Sequence, residues 1–298
     1  FIYNIPLWLI NLWIREFGRD KTEDLCAWFN EQPKLTARIN TILIDIPQCL
    51  ALLDEQGWDV TQDTNYKDII YINSHRGSLE KSEAFIKGYI TFMDKASMLV
   101  ARLVNPQPGE RILDCCAAPG GKSMYMATLM DNVGSLMSCD IHEHKIELMN
   151  SNAERLGASI VHTKVQDATK LPDSWNSYFD RVLVDAPCSG LGILQKKLDM
   201  RWRKQESILS ELPPLQLAIL ERAAMTVKEK GYLIYSTCTL NYKENEEVVE
   251  AFLQKHKEFS IIPVAEDFPL KSNSGMITTY PPTDDMDGFF MVKMQRIS

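Results

Sequence analysis

The chain has 298 residues, 45% hydrophobic and 24% charged, with a formal net charge of -8 and seven cysteines. This composition excludes a disordered or fibrous chain, and the acidic balance excludes nucleic-acid affinity spread over the whole surface, because such affinity comes from neutralising phosphates. An odd number of cysteines with no Cys-x-x-Cys pair argues against a disulfide framework and a zinc site, so no metal is expected and a reducing cytoplasm is.

No run approaches the roughly 18 apolar residues that a membrane helix needs, and no membrane partner is expected. The apolar opening from Phe1 to Trp13 is interrupted by Asn4, Pro6 and Asn11 and reads as a packed N-terminal helix. Because the first residue is Phe1 rather than Met, a longer parent protein is expected. Leu7, Leu9, Ile10, Trp13, Ile14 and Phe17 recur at helical spacing until Gly18 breaks the pattern, and a second helix follows over 22–30. The texture then becomes a small α/β module, with a β-type alternation from Thr36, a helix near 47–56 and strands at 68–72 and 88–93.

After an apolar helix over 96–103, Pro106 and Pro108-Gly109 punctuate the chain. From Arg111 strands (111–115, 135–140, 160–164, 181–185, 232–238) alternate with helices (122–130, 145–156, 214–228, 245–256). That rhythm predicts parallel strands joined by crossover helices. The expected fold class is therefore α/β: a doubly wound, mostly parallel, Rossmann-like sheet over 106–298, preceded over 1–105 by N-terminal helices and the small α/β module. A monomer is expected.

The segment Leu113-Asp114-Cys115-Cys116-Ala117-Ala118-Pro119-Gly120-Gly121-Lys122-Ser123 runs from a strand through a small-residue turn into a helix. It lacks both the Gly-x-Gly-x-x-Gly fingerprint of a dinucleotide site and the spacing of a phosphate loop, so a cofactor without a pyrophosphate is indicated. S-adenosylmethionine is such a cofactor. Asp140, ending the second strand, is placed to accept ribose hydroxyls, and Asp167, after the third, to accept the adenine amino group between Ile141 and Ala168.

Asp185-Ala186-Pro187-Cys188-Ser189-Gly190-Leu191-Gly192 ends one strand and Ser236-Thr237-Cys238-Thr239 ends the next, so both thiols face the crevice expected to hold the cofactor. Such thiols suit methylation of cytosine carbon 5. That carbon is a poor nucleophile until a thiolate adds to carbon 6; as an enamine it attacks a sulfonium methyl, and loss of its proton expels the thiol. Asp185, with its acidity weakened by burial, is expected to assist at ring nitrogen 3. The base must be unstacked to reach the pocket. Chemistry alone leaves open which cysteine attacks.

Asp-Cys-Cys-Ala-Ala-Pro-Gly-Gly-Lys, Asp-Ala-Pro-Cys-Ser-Gly-Leu-Gly, Ser-Thr-Cys-Thr and Asp287-Gly288-Phe289-Phe290 resemble, in order, the signature blocks of the Sun family of RNA cytosine-5 methyltransferases. Arg38-Ile39-Asn40-Thr41 in the small module is similar too. The resemblance implies a class I S-adenosylmethionine methyltransferase domain behind an RNA-binding module, with small-subunit ribosomal RNA as substrate. Transfer RNA, or another RNA, is the alternative substrate, and a noncatalytic ribosome-assembly factor the alternative of another class. By resemblance Cys238 is the nucleophile and Cys188 assists product release, while Cys116, Ala117, Ala118, Pro119, Gly120, Gly121, Lys122, Asp140, Asp167 and Asp185 line the cofactor and base site. Arg38, Asn40 and the basic run Lys196, Lys197, Arg201 and Arg203, interleaved with Trp202, are expected to bind RNA.

Overall fold

The computed structural model describes residues 3–272 and 274–298; Phe1 and Ile2, at the head of the expected first helix, and Asn273 lie outside the described residues. Pro6 precedes α1 (Leu7–Phe17), and Gly18, at φ 82°, separates it from α2 (Arg19–Trp28). Their apolar face does not cover the small module. Leu9, Leu12, Trp13 and Leu25 pack instead against Leu191, Leu194, Leu209 and Leu240, far along the chain.

The small module consists of β1 (Leu35–Ile39), α3 (Ile46–Glu55), β2 (Asp59–Gln62), β3 (Ile69–Ser74), the short α4 (Glu83–Ile86) and β4 (Ile90–Phe92). The strands form an antiparallel sheet of order β2-β3-β1-β4, and this β-α-β-β-α-β succession is ferredoxin-like. Its core is Ala37, Ile39, Cys49, Leu53, Trp58, Ile70 and Ile90. The edge strand β2 was not expected. Its four residues, none of them fully buried, carry too little apolar pattern to signal a strand.

Asp94 caps α5 (Lys95–Val104), its carboxylate accepting from the Ala96 amide at 2.8 Å, and Asn105, at φ 51°, ends the helix. The larger sheet follows: β5 (Arg111–Asp114), α6 (Gly121–Leu129), β6 (Ser135–Asp140), α7 (Glu143–Arg155), β7 (Val161–Val165), β8 (Phe179–Asp185), α8 (Met200–Arg203), α9 (Ile208–Ala224), β9 (Val227–Thr237), α10 (Glu246–Lys255), β10 (Phe259–Ile261), β11 (Met276–Thr278), α11 (Pro281–Asp284) and β12 (Phe290–Arg296). Its order is β10-β12-β9-β8-β5-β6-β7, with β11 added on β12. The strands β5 to β9 are parallel, as the alternation of elements predicts.

Three features depart from the expectation. The antiparallel strands β10, β11 and β12 were not anticipated. Helix α9 begins at Ile208 rather than Pro214 and carries Pro213 and Pro214 inside it, and β9 already starts at Val227. Helix α5, counted with the first unit, buries Met98, Leu99 and Leu103 in one core with Met124 and Met126 of α6 and Leu183 of β8.

The two units meet through polar side chains that were expected to bind RNA. Arg38 is fully buried, donates to Thr128 Oγ1 at 3.1 Å and lies over the Tyr125 ring; burial lowers its guanidinium to about 10. Asn40, also fully buried, donates to the Gly88 carbonyl at 2.9 Å and the Leu156 carbonyl at 2.8 Å. Neither reaches an RNA on the surface. Their role is to satisfy carbonyl and hydroxyl groups sealed where the small sheet docks, groups that are costly to bury unpaired.

Candidate active site

The chain leaves β5 in one direction towards β6 and β7 and in the other towards β8 and β9, so a crevice opens above the carboxyl ends of β5 and β8. On its floor Asp114, fully buried, accepts from Ser123 Oγ at 2.7 Å, and Ser138 Oγ donates to Ser123 at 2.8 Å. This chain of bonds fixes the start of α6 against β5 and β6. Burial raises the Asp114 carboxyl to about 7. Asp114 was visible in its motif but not expected as a site residue.

Between β5 and α6 the turn from Cys116 to Gly121 brings its backbone close to the crevice. Gly120 has φ 98°, and a Cβ there would lie 3.1 Å from Met149, so the turn needs a residue without a side chain. Asp140, at the end of β6, accepts from the His142 amide at 3.0 Å. Asp167 Oδ1 accepts from the Thr169 amide at 2.9 Å and the Thr169 hydroxyl at 2.6 Å, and these bonds hold its carboxyl below the usual range. Beside Asp140 the apolar side chain of Ile141 is 59% exposed. A turn of small residues, a strand-end carboxylate and an uncovered apolar side chain fit the three parts of S-adenosylmethionine: amino-acid end, ribose and adenine.

Above β8 the arrangement differs from expectation at Asp185. Its Oδ2 is 2.7 Å from Lys122 Nζ, its Oδ1 accepts from Ser236 Oγ at 2.8 Å, and its side chain is a quarter exposed. This ion-paired, partly solvated side chain is not in the buried setting that the sequence suggested. Lys122, expected in the cofactor loop, turns to this side and lies over the Phe289 ring. Burial pulls its ammonium down, but Asp185 and Cys238 beside it outweigh that and hold it above its ordinary value.

The two thiols come together. Cys188 Sγ and Cys238 Sγ are 3.1 Å apart, and the Cys238 amide donates to Cys188 Sγ at 3.3 Å. The hydrogen bond to Cys238 and burial push the Cys188 thiol well above its ordinary value. Two glycines lock the loops: the Gly192 amide donates to the Cys238 carbonyl at 3.0 Å, and the Gly288 amide donates to the Gly192 carbonyl at 2.8 Å. A Cβ at Gly192 would fall 1.8 Å from the Gly288 carbonyl oxygen. Gly192→Ala is therefore expected to destabilise the protein by roughly 3 kcal/mol, read as a lower urea midpoint with an unchanged slope.

The basic run is divided. Arg201 is buried and donates to Asn30 Oδ1 at 2.9 Å and to the Phe29 and Leu194 carbonyls, so it pins α2 rather than contacting RNA. Its guanidinium was read as surface charge because a charge run says nothing about which members face inward. Arg201→Ala strands those acceptors and is expected to cost about 3 kcal/mol; thermal unfolding checks this, with RNA affinity of the folded variant unchanged. Lys196 is shared between Asp94 and Asp287. Lys197 and Arg203 stay exposed beside Trp202, with Arg203 near Asp199.

Strand order, glycine turn and acidic strand ends together define a class I S-adenosylmethionine-dependent methyltransferase fold. Residues 101–295 match the family model "16S rRNA methyltransferase RsmB/F", and residues 5–77 match that of a RsmF/B-like ferredoxin-like domain. The chain belongs to the RsmB/F family. It is 37% identical over 297 residues to the probable ribosomal RNA small subunit methyltransferase B of Bacillus subtilis (strain 168), covering 98% of this chain and 66% of that protein. The corresponding Synechocystis protein is 36% identical, with 99% and 67% covered. The chain thus spans about two thirds of the length of these relatives. The crystal structure of PH0851 superposes with a TM-score of 0.92 at 32% identity, covering 98% of this chain and 66% of that one. NSun6 from Pyrococcus horikoshii with SFG has the same fold, with a TM-score of 0.90 at 21% identity and all of both chains covered. No helix among the described residues is long and apolar enough to cross a membrane.

Proposed function

We propose that this chain methylates carbon 5 of a cytosine in RNA, with small-subunit ribosomal RNA as the substrate. One observation carries the reading: two thiols 3.1 Å apart at neighbouring strand ends, with the Lys122–Asp185 ion pair beside them. A methyltransferase acting on an oxygen or an amine has no use for such a pair.

The turn from Cys116 to Gly121 would hold the amino-acid end of S-adenosylmethionine, Asp140 its ribose, and Ile141 and Asp167 its adenine. When bound, the cofactor supplies an electrophilic methyl group. The chain's own part is to prepare the base. The Cys238 thiolate adds to carbon 6, forming a C–S bond and giving carbon 5 enamine character. The Lys122 ammonium favours that thiolate electrostatically. Asp185, as an acceptor, holds the cytosine amino group, so uracil, which presents a carbonyl there, is excluded. Carbon 5 then gives its proton to solvent, the freed electron pair re-forms the double bond to carbon 6, and the C–S bond breaks with its pair on the Cys238 sulfur, a departure that Cys188 assists. The names of the family and of its relatives support ribosomal RNA as the substrate. Lys197, Arg203 and exposed Trp202 offer charge and a stacking face for a single-stranded segment.

The test is incubation with S-adenosylmethionine and unmethylated 16S ribosomal RNA, naked and in 30S particles, with transfer RNA as a comparison, followed by bisulfite sequencing. A protected cytosine in the ribosomal RNA is expected. Methyl incorporation without bisulfite protection overturns the carbon 5 reading, and protection confined to transfer RNA overturns the substrate.

A further inference from the structure

Behind the thiols lies a charged residue that the chemistry above does not use. Glu244, in the turn between β9 and α10, is fully buried. Its carboxylate accepts from the Ser189 amide at 2.8 Å, the Ser189 hydroxyl, Gln216 Nε2 at 2.9 Å and Asn241 Nδ2 at 2.9 Å. All four donors are neutral, so the negative charge is solvated by dipoles and cancelled by none. A buried carboxylate is retained at a cost in desolvation that an amide or an apolar residue would avoid.

Its partners are the neighbours of the two thiols. Ser189 follows Cys188, and its hydroxyl also lies 2.7 Å from that of Thr239, which follows Cys238. Gln216, besides meeting Glu244, donates to the Pro187 carbonyl at 2.9 Å. The next residue, Asn245, holds the other loop: its amide donates to the Thr239 carbonyl at 2.9 Å, and its Oδ1 accepts from Thr237 Oγ1 at 2.6 Å. Glu244 and Asn245 thus grip the two cysteine loops from one turn.

The charges around the pair are unequal. On the Cys188 side stands the Glu244 carboxylate, which accepts from the amide of the next residue, Ser189; neutral Tyr235 fixes that turn, its hydroxyl donating to the Glu244 carbonyl at 2.6 Å. The Cys238 side has Lys122 of α6, itself paired with Asp185 of β8. A negative charge at Cys188 would face a second negative charge; at Cys238 it would face an ammonium. We propose that Glu244 is a positioning residue that ties the two loops together and keeps the shared proton on Cys188, leaving Cys238 as the thiolate. The inference rests on the reading in which Cys238 attacks, and it assigns the asymmetry of that pair to a third residue.

The test uses the full chain without RNA. In a Cys238→Ala background, the rate of Cys188 alkylation by iodoacetamide is followed against pH, with the modified peptide quantified by mass spectrometry. Glu244→Gln removes the charge and keeps the shape. It is expected to lower the midpoint by about one pH unit, a tenfold rise in thiolate at fixed pH. Gln216→Lys, which leaves Glu244 in place and sets a cation against it, is expected to shift the midpoint the same way, and it keeps the test open if the Gln variant does not fold. Ser189→Ala keeps the charge and should leave the midpoint where it was. A midpoint that neither charge-changing variant moves overturns the proposal, as does a shift of the same size in Ser189→Ala. Because the assay needs no methyl transfer, failure of the reading in which Cys238 attacks shows separately, as methylation surviving in Cys238→Ala.

Discussion

Cys238→Ala is expected to reduce methylation of the RNA by at least about 10⁴-fold, the scale on which an enzyme loses its covalent nucleophile. Cysteine and alanine differ by one sulfur atom, and Cys238 is only partly buried at the end of β9, so the fold should survive. The loop keeps its other anchors: the Cys238 carbonyl still accepts from the Gly192 amide at 3.0 Å, and Asn245 still holds Thr239. Loss of activity with an unchanged unfolding midpoint would therefore locate the defect in the chemistry. The measurement is single-turnover transfer of labelled methyl groups to 16S ribosomal RNA. Residual transfer within tenfold of the parent protein would remove Cys238 from the attacking role.

Cys188→Ala is expected to accumulate a covalent complex between protein and RNA. The two sulfurs are 3.1 Å apart, so whatever Cys188 does, it does at the bond that Cys238 makes. The Cys188 thiol is held above its ordinary value by that contact and by burial, which disfavours it as the attacking thiolate. Removing Cys188 leaves addition possible and slows release. On a denaturing gel the variant should show a slow band carrying both protein and RNA, dependent on S-adenosylmethionine and absent from the Cys188→Ala, Cys238→Ala double variant. A variant that turns over normally and leaves no adduct would take Cys188 out of product release.

The parts of the site legible in the sequence are those set by local pattern. The turn from Cys116 to Gly121, the acidic strand ends Asp140 and Asp185, and the strand-end cysteines each follow from a short motif at the end of an apolar run, and they meet because parallel strands gather their carboxyl ends at one edge. Misreadings arose where a residue's surroundings come from distant segments. Arg38, Asn40 and Arg201 carry the residue types of an RNA surface, yet each is buried by a segment remote in the chain: Thr128 and Leu156 for the first two, Phe29 and Asn30 for the third. Asp185 was expected to be a buried group assisting at ring nitrogen 3, and the contact with Lys122, 63 positions away, makes it one half of an ion pair.

The sequence by itself determined the α/β alternation, the glycine turn and the presence of two thiols at strand ends, because periodicity and turn chemistry are local properties of the chain. The tertiary structure decided that those thiols touch, that the first two helices pack on α9 and on the loops that follow β8 and β9, that three expected RNA contacts hold the protein together, and that Glu244 underlies the cysteine pair. The physical reason is that burial and pairing are set by whichever segments meet in space, and only they give a charged or polar side chain its partners.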